Sequence, residues 1–170
     1  MAVELAFQEA GEGRPAVILH GLFGSKRSWT SIARQLAATH RVFSVDLRNH
    51  GESPWAVQHD YPSLADDVAS FVEEKVGGSA AVIGHSMGGK AAMVLALTRP
   101  DLVERLVAVD IPPAESIGTQ DAFIEALQQV PLATLTRRTE VDAFLAGAIP
   151  DRGIRSFLLT NVVAGPAGLS

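Results

Sequence analysis

The sequence predicts an α/β fold: a mainly parallel sheet with helices on both faces, followed by a partial helical cap. Three observations predict it. Short apolar runs alternate, along the first 110 residues, with stretches whose apolar residues recur at helical spacing. Those runs are apolar throughout, the pattern of strands covered on both faces. The chain has 170 residues, 47% hydrophobic and 19% charged, enough to bury one core and too few for two.

Residues 3–7 alternate loosely and run into Gly11-Glu12-Gly13, a strand and turn for which the next run is the expected hairpin partner. That run, 15–20, is unbroken and stops at Gly21. From Ser28, the residues Trp29, Ile32, Ala33 and Leu36 form the stripe of a helix lying on a sheet. Residues 41–46 read as a buried strand. Ser63 with Asp66 makes a capping-box-like start, and Leu64, Val68, Phe71 and Val72 continue the helix until Gly77-Gly78 stops it. Residues 80–85 are strand again, 88–98 a helix ended by Arg99-Pro100, and 102–110 a strand. After Ile111-Pro112-Pro113 only helical patterns remain: Phe123, Ile124, Leu127 and Val130, then Val141, Phe144, Leu145 and Ile149, then 154–163. The expected organisation is a core over 1–110 and a helical cap segment over 111–170, whose small-residue tail from Ala164 has nothing to pack.

Charge and composition exclude several functions. Fourteen Lys and Arg against nineteen Asp and Glu give a net charge of −5, with no basic block to grip a phosphate backbone, so nucleic acid is not an expected partner. There is no cysteine, hence no disulfide framework, thiolate metal site or cysteine nucleophile. No apolar run reaches membrane-spanning length, and the N-terminus lacks the marks of a targeting leader, so the expected address is cytoplasmic.

The chemistry centres on Gly84-His85-Ser86-Met87-Gly88, a G-x-S-x-G between a strand and a helix. So tight a turn strains the serine backbone, and the residues two before and two after it must lack side chains for strand and helix to approach. Ser86 would then project into the crevice at the strand ends, and the Met87 N–H would stand at a helix start, where a developing oxyanion is favoured. Gly84 to Lys90 also satisfies G-x-x-x-x-G-K, the phosphate-cradling loop, but Ala91 stands where that motif needs Ser or Thr to hold magnesium. A second loop, His20-Gly21-Leu22-Phe23-Gly24, could bring a backbone N–H, that of Leu22 before that of Phe23, to complete an oxyanion hole with Met87. A third, 46–53, reads as loop-fixing hydrogen bonding. His20 and His85 read as structural hydrogen-bonders that support their turns.

Taken together, HGLFGS, DLRNHGES, GHSMGGK and VAVDIPP resemble the α/β-hydrolase fold superfamily, and within it a subgroup of small esterases and acyl hydrolases. The resemblance covers the chain from about the second strand to Asp110. It implies hydrolysis of a small-molecule ester or thioester through an acyl-enzyme on Ser86, with no metal and no organic cofactor. It also implies a carboxylate that orients a histidine, and members resembling this chain place it after the sixth strand, where Asp110 stands; a strand-end cap is the other reading of Asp110. In this fold the triad runs Ser, acid, His, and none of the five histidines follows Asp110. No catalytic histidine is therefore assigned. A fragment of a longer enzyme, a chain completed by a partner, and a scaffold that lost activity and serves as a binding module all fit that gap. The strand ending at Asp110 would also leave an apolar edge that a partner chain or oligomer would cover.

Overall fold

In the computed structural model, which describes residues 1–114, 121–165 and 168–169, four of the apolar runs and a first strand that lies at Phe7–Ala10 rather than over the expected 3–7 become one sheet. Strands β1 (Phe7–Ala10), β2 (Arg14–Leu19), β3 (His40–Val45), β4 (Ala80–His85) and β5 (Val103–Val109) lie in the order β1-β3-β2-β4-β5. β2 is parallel to both β3 and β4, and β4 is parallel to β5. The expected hairpin between β1 and β2 does not form. β1 runs antiparallel to β3, Phe7 opposite Val45 and Ala10 opposite Val42. β2 already has a parallel neighbour on each side, so β1 cannot pair with it and adds to the open edge of β3.

Crossover handedness then places the helices. β2 to β3 moves one way across the sheet, while β3 to β4 and β4 to β5 move the other way. Right-handed crossovers put α1 (Thr30–Leu36) on one face, and α2 (Tyr61–Phe71) and α3 (Met87–Thr98) together on the opposite one. The core follows that division. Leu64, Val68 and Phe71 of α2 and Ala91, Ala92 and Leu95 of α3 are buried with Val17, Leu19, Phe43 and Val82 of the sheet. α1 buries none of its residues.

The start of α2 corrects the expected cap. Asp60, not Ser63, is the N-cap: its side chain accepts the Ser63 N–H at 2.8 Å. Pro62 decides this, because a proline fits the first turn, where an N–H would be unpartnered in any case. The helix runs on through a π-type turn, Val72–Val76, and Gly77 closes it at φ +78, as the glycine pair predicts. β5 is one edge of the sheet, with Leu106 and Val107 exposed at 40% and 46%.

Two compact units divide the chain, Met1–Ala114 and Glu115–Ser170. In the second, α4 (Asp121–Gln128), α5 (Arg138–Leu145) and α6 (Arg152–Leu158) account for the helical patterns, and Val141, Leu145, Ile149 and Leu158 are buried. Arg155 fastens this unit from within, donating to Asp142 at 2.7 Å and to the carbonyl of Ile149 at 2.9 Å. The tail departs from expectation: β6 (Ala164–Gly165) pairs antiparallel with β7 (Gly168–Leu169), so small residues there pair by backbone rather than pack by side chain. No helix among the described residues is long and apolar enough to cross a membrane.

Candidate active site

Ser86 leaves β4 and enters α3 at φ +50, ψ −115, a backbone region that a residue with a side chain occupies only at a cost of about 1–3 kcal/mol. Its neighbours hold it there. The Ser86 N–H donates to the Val109 carbonyl at 3.2 Å, and the Lys90 N–H donates to the Ser86 carbonyl at 3.1 Å. A Cβ on Gly84 would stand 2.3 Å from the Gly88 carbonyl oxygen. One on Gly88 would stand 2.5 Å from the His20 carbonyl oxygen and 2.6 Å from that of Leu19. The two motif glycines are thus the points where β4, β2 and α3 touch backbone to backbone. Gly89, which the motif does not require, is equally confined: its Cβ would lie 2.5 Å from Ile111 Cγ2.

The 20–24 loop lies against the serine. A Cβ on Gly21 would be 2.8 Å from His85 Nδ1 and 3.2 Å from Ser86 Cβ, so only a bare backbone fits beside Ser86. The turn closes with Gly24 N–H on the Gly21 carbonyl at 2.9 Å, and inside it Phe23 sits at φ +62 with its N–H donated to His50 Nε2 at 3.3 Å. Of the two amides that the sequence offers, that of Phe23 donates to His50. On the other side Met87 is the first residue of α3, where N–H groups have no intrahelical acceptor.

The 46–53 loop does what loop-fixing predicts. Asp46, fully buried, accepts from the Lys26 N–H and the Lys26 ammonium, each at 2.6 Å, and from the Glu52 N–H at 2.9 Å. Burial opposes its ionisation, but those hydrogen bonds and the Lys26 charge outweigh it and hold the carboxyl below its ordinary range. Arg48 makes a two-pronged, buried pair with Asp67, at 2.5 and 2.6 Å.

Asp110 follows β5, the fifth strand here rather than a sixth, and sheet register sets it beside Ser86. Val109 is opposite His85 on β4, so Asp110 and Ser86 leave neighbouring strands side by side. Asp110 is exposed, at φ +53. The histidines are otherwise engaged. His20 donates from Nδ1 to the Gly21 carbonyl at 2.8 Å and accepts the Leu47 N–H on Nε2 at 2.9 Å; burial pushes its pKa down to about 4. His50 is held in the same way, His59 pairs with Asn49, and His40 pairs with Thr39 at the far end of the sheet. His85 departs from the expected hydrogen-bonding role: its ring packs against Trp29, centroids 6.1 Å apart, and makes no hydrogen bond to a described residue. No described residue hydrogen-bonds the Ser86 hydroxyl. Lys90, the cation a phosphate loop would use, donates to the Ala114 carbonyl instead. No group of three or more potential metal ligands occurs among the described residues.

A family model for the alpha/beta hydrolase fold matches residues 15–153. The chain belongs to the α/β-hydrolase fold family. Among its relatives is the sn-1-specific diacylglycerol lipase ABHD11 of Danio rerio, 39% identical over 164 residues, 92% of this chain and 52% of the relative. Another is Esterase YbfF of Escherichia coli (strain K12), 35% identical over 93% of this chain and 63% of that protein. Among solved structures, a marine microorganism esterase superposes with a TM-score of 0.95 at 37% identity, over 99% of this chain and 67% of its own. The chain spans about half the length of the ABHD11 relatives it matches.

Proposed function

We propose that the chain carries the nucleophile of a serine hydrolase, cleaving small-molecule carboxylic esters or thioesters as part of a longer or complemented chain. The observation that carries this reading is Ser86 at φ +50, with the Gly21 backbone against its Cβ: a serine kept in a strained turn, where a loop can present a peptide N–H. In this reading Ser86 Oγ attacks the acyl carbon and gives up its proton. The carbonyl electron pair moves onto oxygen and is held by the Leu22 and Met87 N–H groups. Collapse then expels the alcohol or thiol, and water releases the acyl group. His20, Gly21, Gly84, His85 and Gly88 shape the two turns. Asp110, beside Ser86 in register, orients a histidine that takes the Oγ proton and that none of the five here supplies. Relatives named as a diacylglycerol lipase, an esterase and an ethanol acetyltransferase support acyl-ester chemistry. The cytoplasmic address and a partner surface over the β5 edge belong to the same proposal.

The hydrogen bonds of His20, His40, His50 and His59, none of them to Ser86, favour a second reading, a binding module on a hydrolase scaffold. One experiment separates them. The purified chain is treated with a fluorophosphonate and, separately, with p-nitrophenyl acetate and butyrate, beside Ser86→Ala. The hydrolase reading expects one phosphonyl group per chain, on Ser86, and ester cleavage that Ser86→Ala loses. Equal labelling and equal cleavage in Ser86→Ala would overturn it.

A further inference from the structure

Two histidines with no chemical step in the proposed reaction join the loop that carries Leu22 to the loop after β3, each from its own side. His20 reaches forward, its Nε2 accepting the Leu47 N–H at 2.9 Å. His50 reaches back, its Nε2 accepting the Phe23 N–H at 3.3 Å. The remaining nitrogen of each ring donates to a carbonyl, His20 Nδ1 to Gly21 at 2.8 Å and His50 Nδ1 to Arg48 at 2.9 Å. A carbonyl cannot donate and a peptide N–H cannot accept, so both rings are neutral with the proton on Nδ1. The rings are buried and lie 5.0 Å apart.

We propose that His50 is a positioning residue for the oxyanion loop, working only as the neutral imidazole, so that a proton on Nε2 opens the clasp and displaces the Leu22 amide. This rests on the reading of Leu22 as an oxyanion donor. The geometry gives the reason. His50 fixes the Leu22–Phe23 peptide plane and, with it, Phe23 at φ +62, a conformation Phe23 does not prefer by itself. Protonated, Nε2 would aim an N–H at the Phe23 N–H, and the strained turn would lose this restraint. The groups facing His50 are His20 at the end of β2, Asp46 at the end of β3, Arg48 in its own loop and His59 before α2, whose ring is 5.8 Å away. Burial, and the charge of His59, push the His50 pKa below 6.5, against the opposing pull of the Arg48 carbonyl and Asp46. The clasp therefore holds at neutral pH and opens on the acid side.

The test is a titration of the nitrogen-labelled chain from about pH 7.5 to 5, following the His50 ring and the Leu22 and Phe23 amides by NMR. The expected result is a neutral His50 with Nδ1–H at neutral pH, and Phe23 and Leu22 amide shifts that move with the His50 midpoint. His50→Gln, whose Oε1 can stand at the Nε2 position without titrating, keeps the Phe23 amide bonded and abolishes that midpoint. His50→Ala lowers amide-exchange protection at Phe23 about tenfold at neutral pH. A Phe23 amide that ignores the His50 titration, a midpoint that survives in His50→Gln, or a charged His50 at neutral pH overturns the proposal. The wild-type titration decides it alone if a variant does not fold. No turnover is needed, so an unlinked Phe23 amide sinks the clasp, whereas Ser86-independent ester cleavage beside a working clasp sinks the hydrolase reading.

Discussion

One methyl group at Gly84 should destabilise the chain far more than its size suggests. The new Cβ in Gly84→Ala would lie 2.3 Å from the Gly88 carbonyl oxygen, 2.6 Å from the Gly88 carbonyl carbon and 2.7 Å from Gly89 Cα. Carbon contacts are most favourable at about 3.5–4.0 Å, so α3 has to lift from β4 by about 1 Å. It cannot do so alone. Gly88 lies against the carbonyls of Leu19 and His20, the Ser86 carbonyl holds the Lys90 N–H, and Ala91, Ala92 and Leu95 anchor the helix in the core. Overpacking costs about 1–3 kcal/mol, and occasionally more; with three backbone atoms to displace we expect about 3 kcal/mol. At a urea slope of about 2 kcal/mol/M, the equilibrium midpoint should fall by about 1.5 M, measured by circular dichroism. Gly78→Ala is the control: its Cβ meets nothing within 4 Å, and its midpoint should stay close to wild type. A Gly84→Ala midpoint within about 0.3 M of wild type would refute the claim that close backbone approach is what the first motif glycine serves.

The strain at Ser86 predicts an order between two variants that both lose the nucleophile. Ser86→Gly relieves the positive φ and Ser86→Ala retains it, so Ser86→Gly should be the more stable by about 1 kcal/mol in thermal unfolding. Equal melting of the two would show that the turn is unstrained. His20 predicts a pH dependence. Its folded pKa of about 4 lies below the ordinary 6.5, so between those values the unfolded chain binds more protons and stability falls as pH drops. At 1.36 kcal/mol per pH unit this ring accounts for about 3 kcal/mol, fully present above pH 6.5 and lost as pH approaches 4. Urea midpoints of wild type and His20→Gln over that range check it; parallel curves for the two proteins would contradict it.

What was legible in the sequence was what local sterics decide. Strand–turn–helix over 80–98 could be read because few residues tolerate that turn, and Ser86 with Gly84 and Gly88 supplies them. The C-terminal stop at Gly77 was legible for the same reason. The start of α2 was misplaced because Ser63 and Asp60 can both cap a helix, and the decisive signal was the Pro62 between them. The pairing of β1 was out of reach: Gly11-Glu12-Gly13 marks a turn, but which strand edge remains open depends on β4, seventy residues on. The histidine clasp escaped for a related reason. His20 and His50 are chemically unremarkable in their own segments and meet only because β2 and β3 are parallel neighbours with their ends together.

Backbone strain gives an independent argument for where the site lies. Four described residues other than glycine have positive φ: Phe23, Asn49, Ser86 and Asp110. Each follows a different parallel strand, β2, β3, β4 and β5 in turn, and always at its C-terminal end. Glycine takes positive φ at Gly11, Gly13 and Gly77 at the opposite end of the sheet, and at Gly51 in the loop after β3, where the conformation is easily adopted. Turn geometry alone therefore does not explain the four side chains, since glycine would serve as well and more stably. At about 1–3 kcal/mol each, their combined cost rivals the whole stability of an ordinary domain, which is about 5–15 kcal/mol, so the packed core beneath must offset it. Asn49 shows what one of them returns: its side chain accepts the Ala56 N–H at 2.6 Å and donates to the Ala56 carbonyl at 3.0 Å, shaping the loop that holds His50. The strand order reverses direction at β2, and open α/β sheets bind ligands in the crevice at such a switch point. There the Gly21 backbone lies against Ser86, one of the four strained residues.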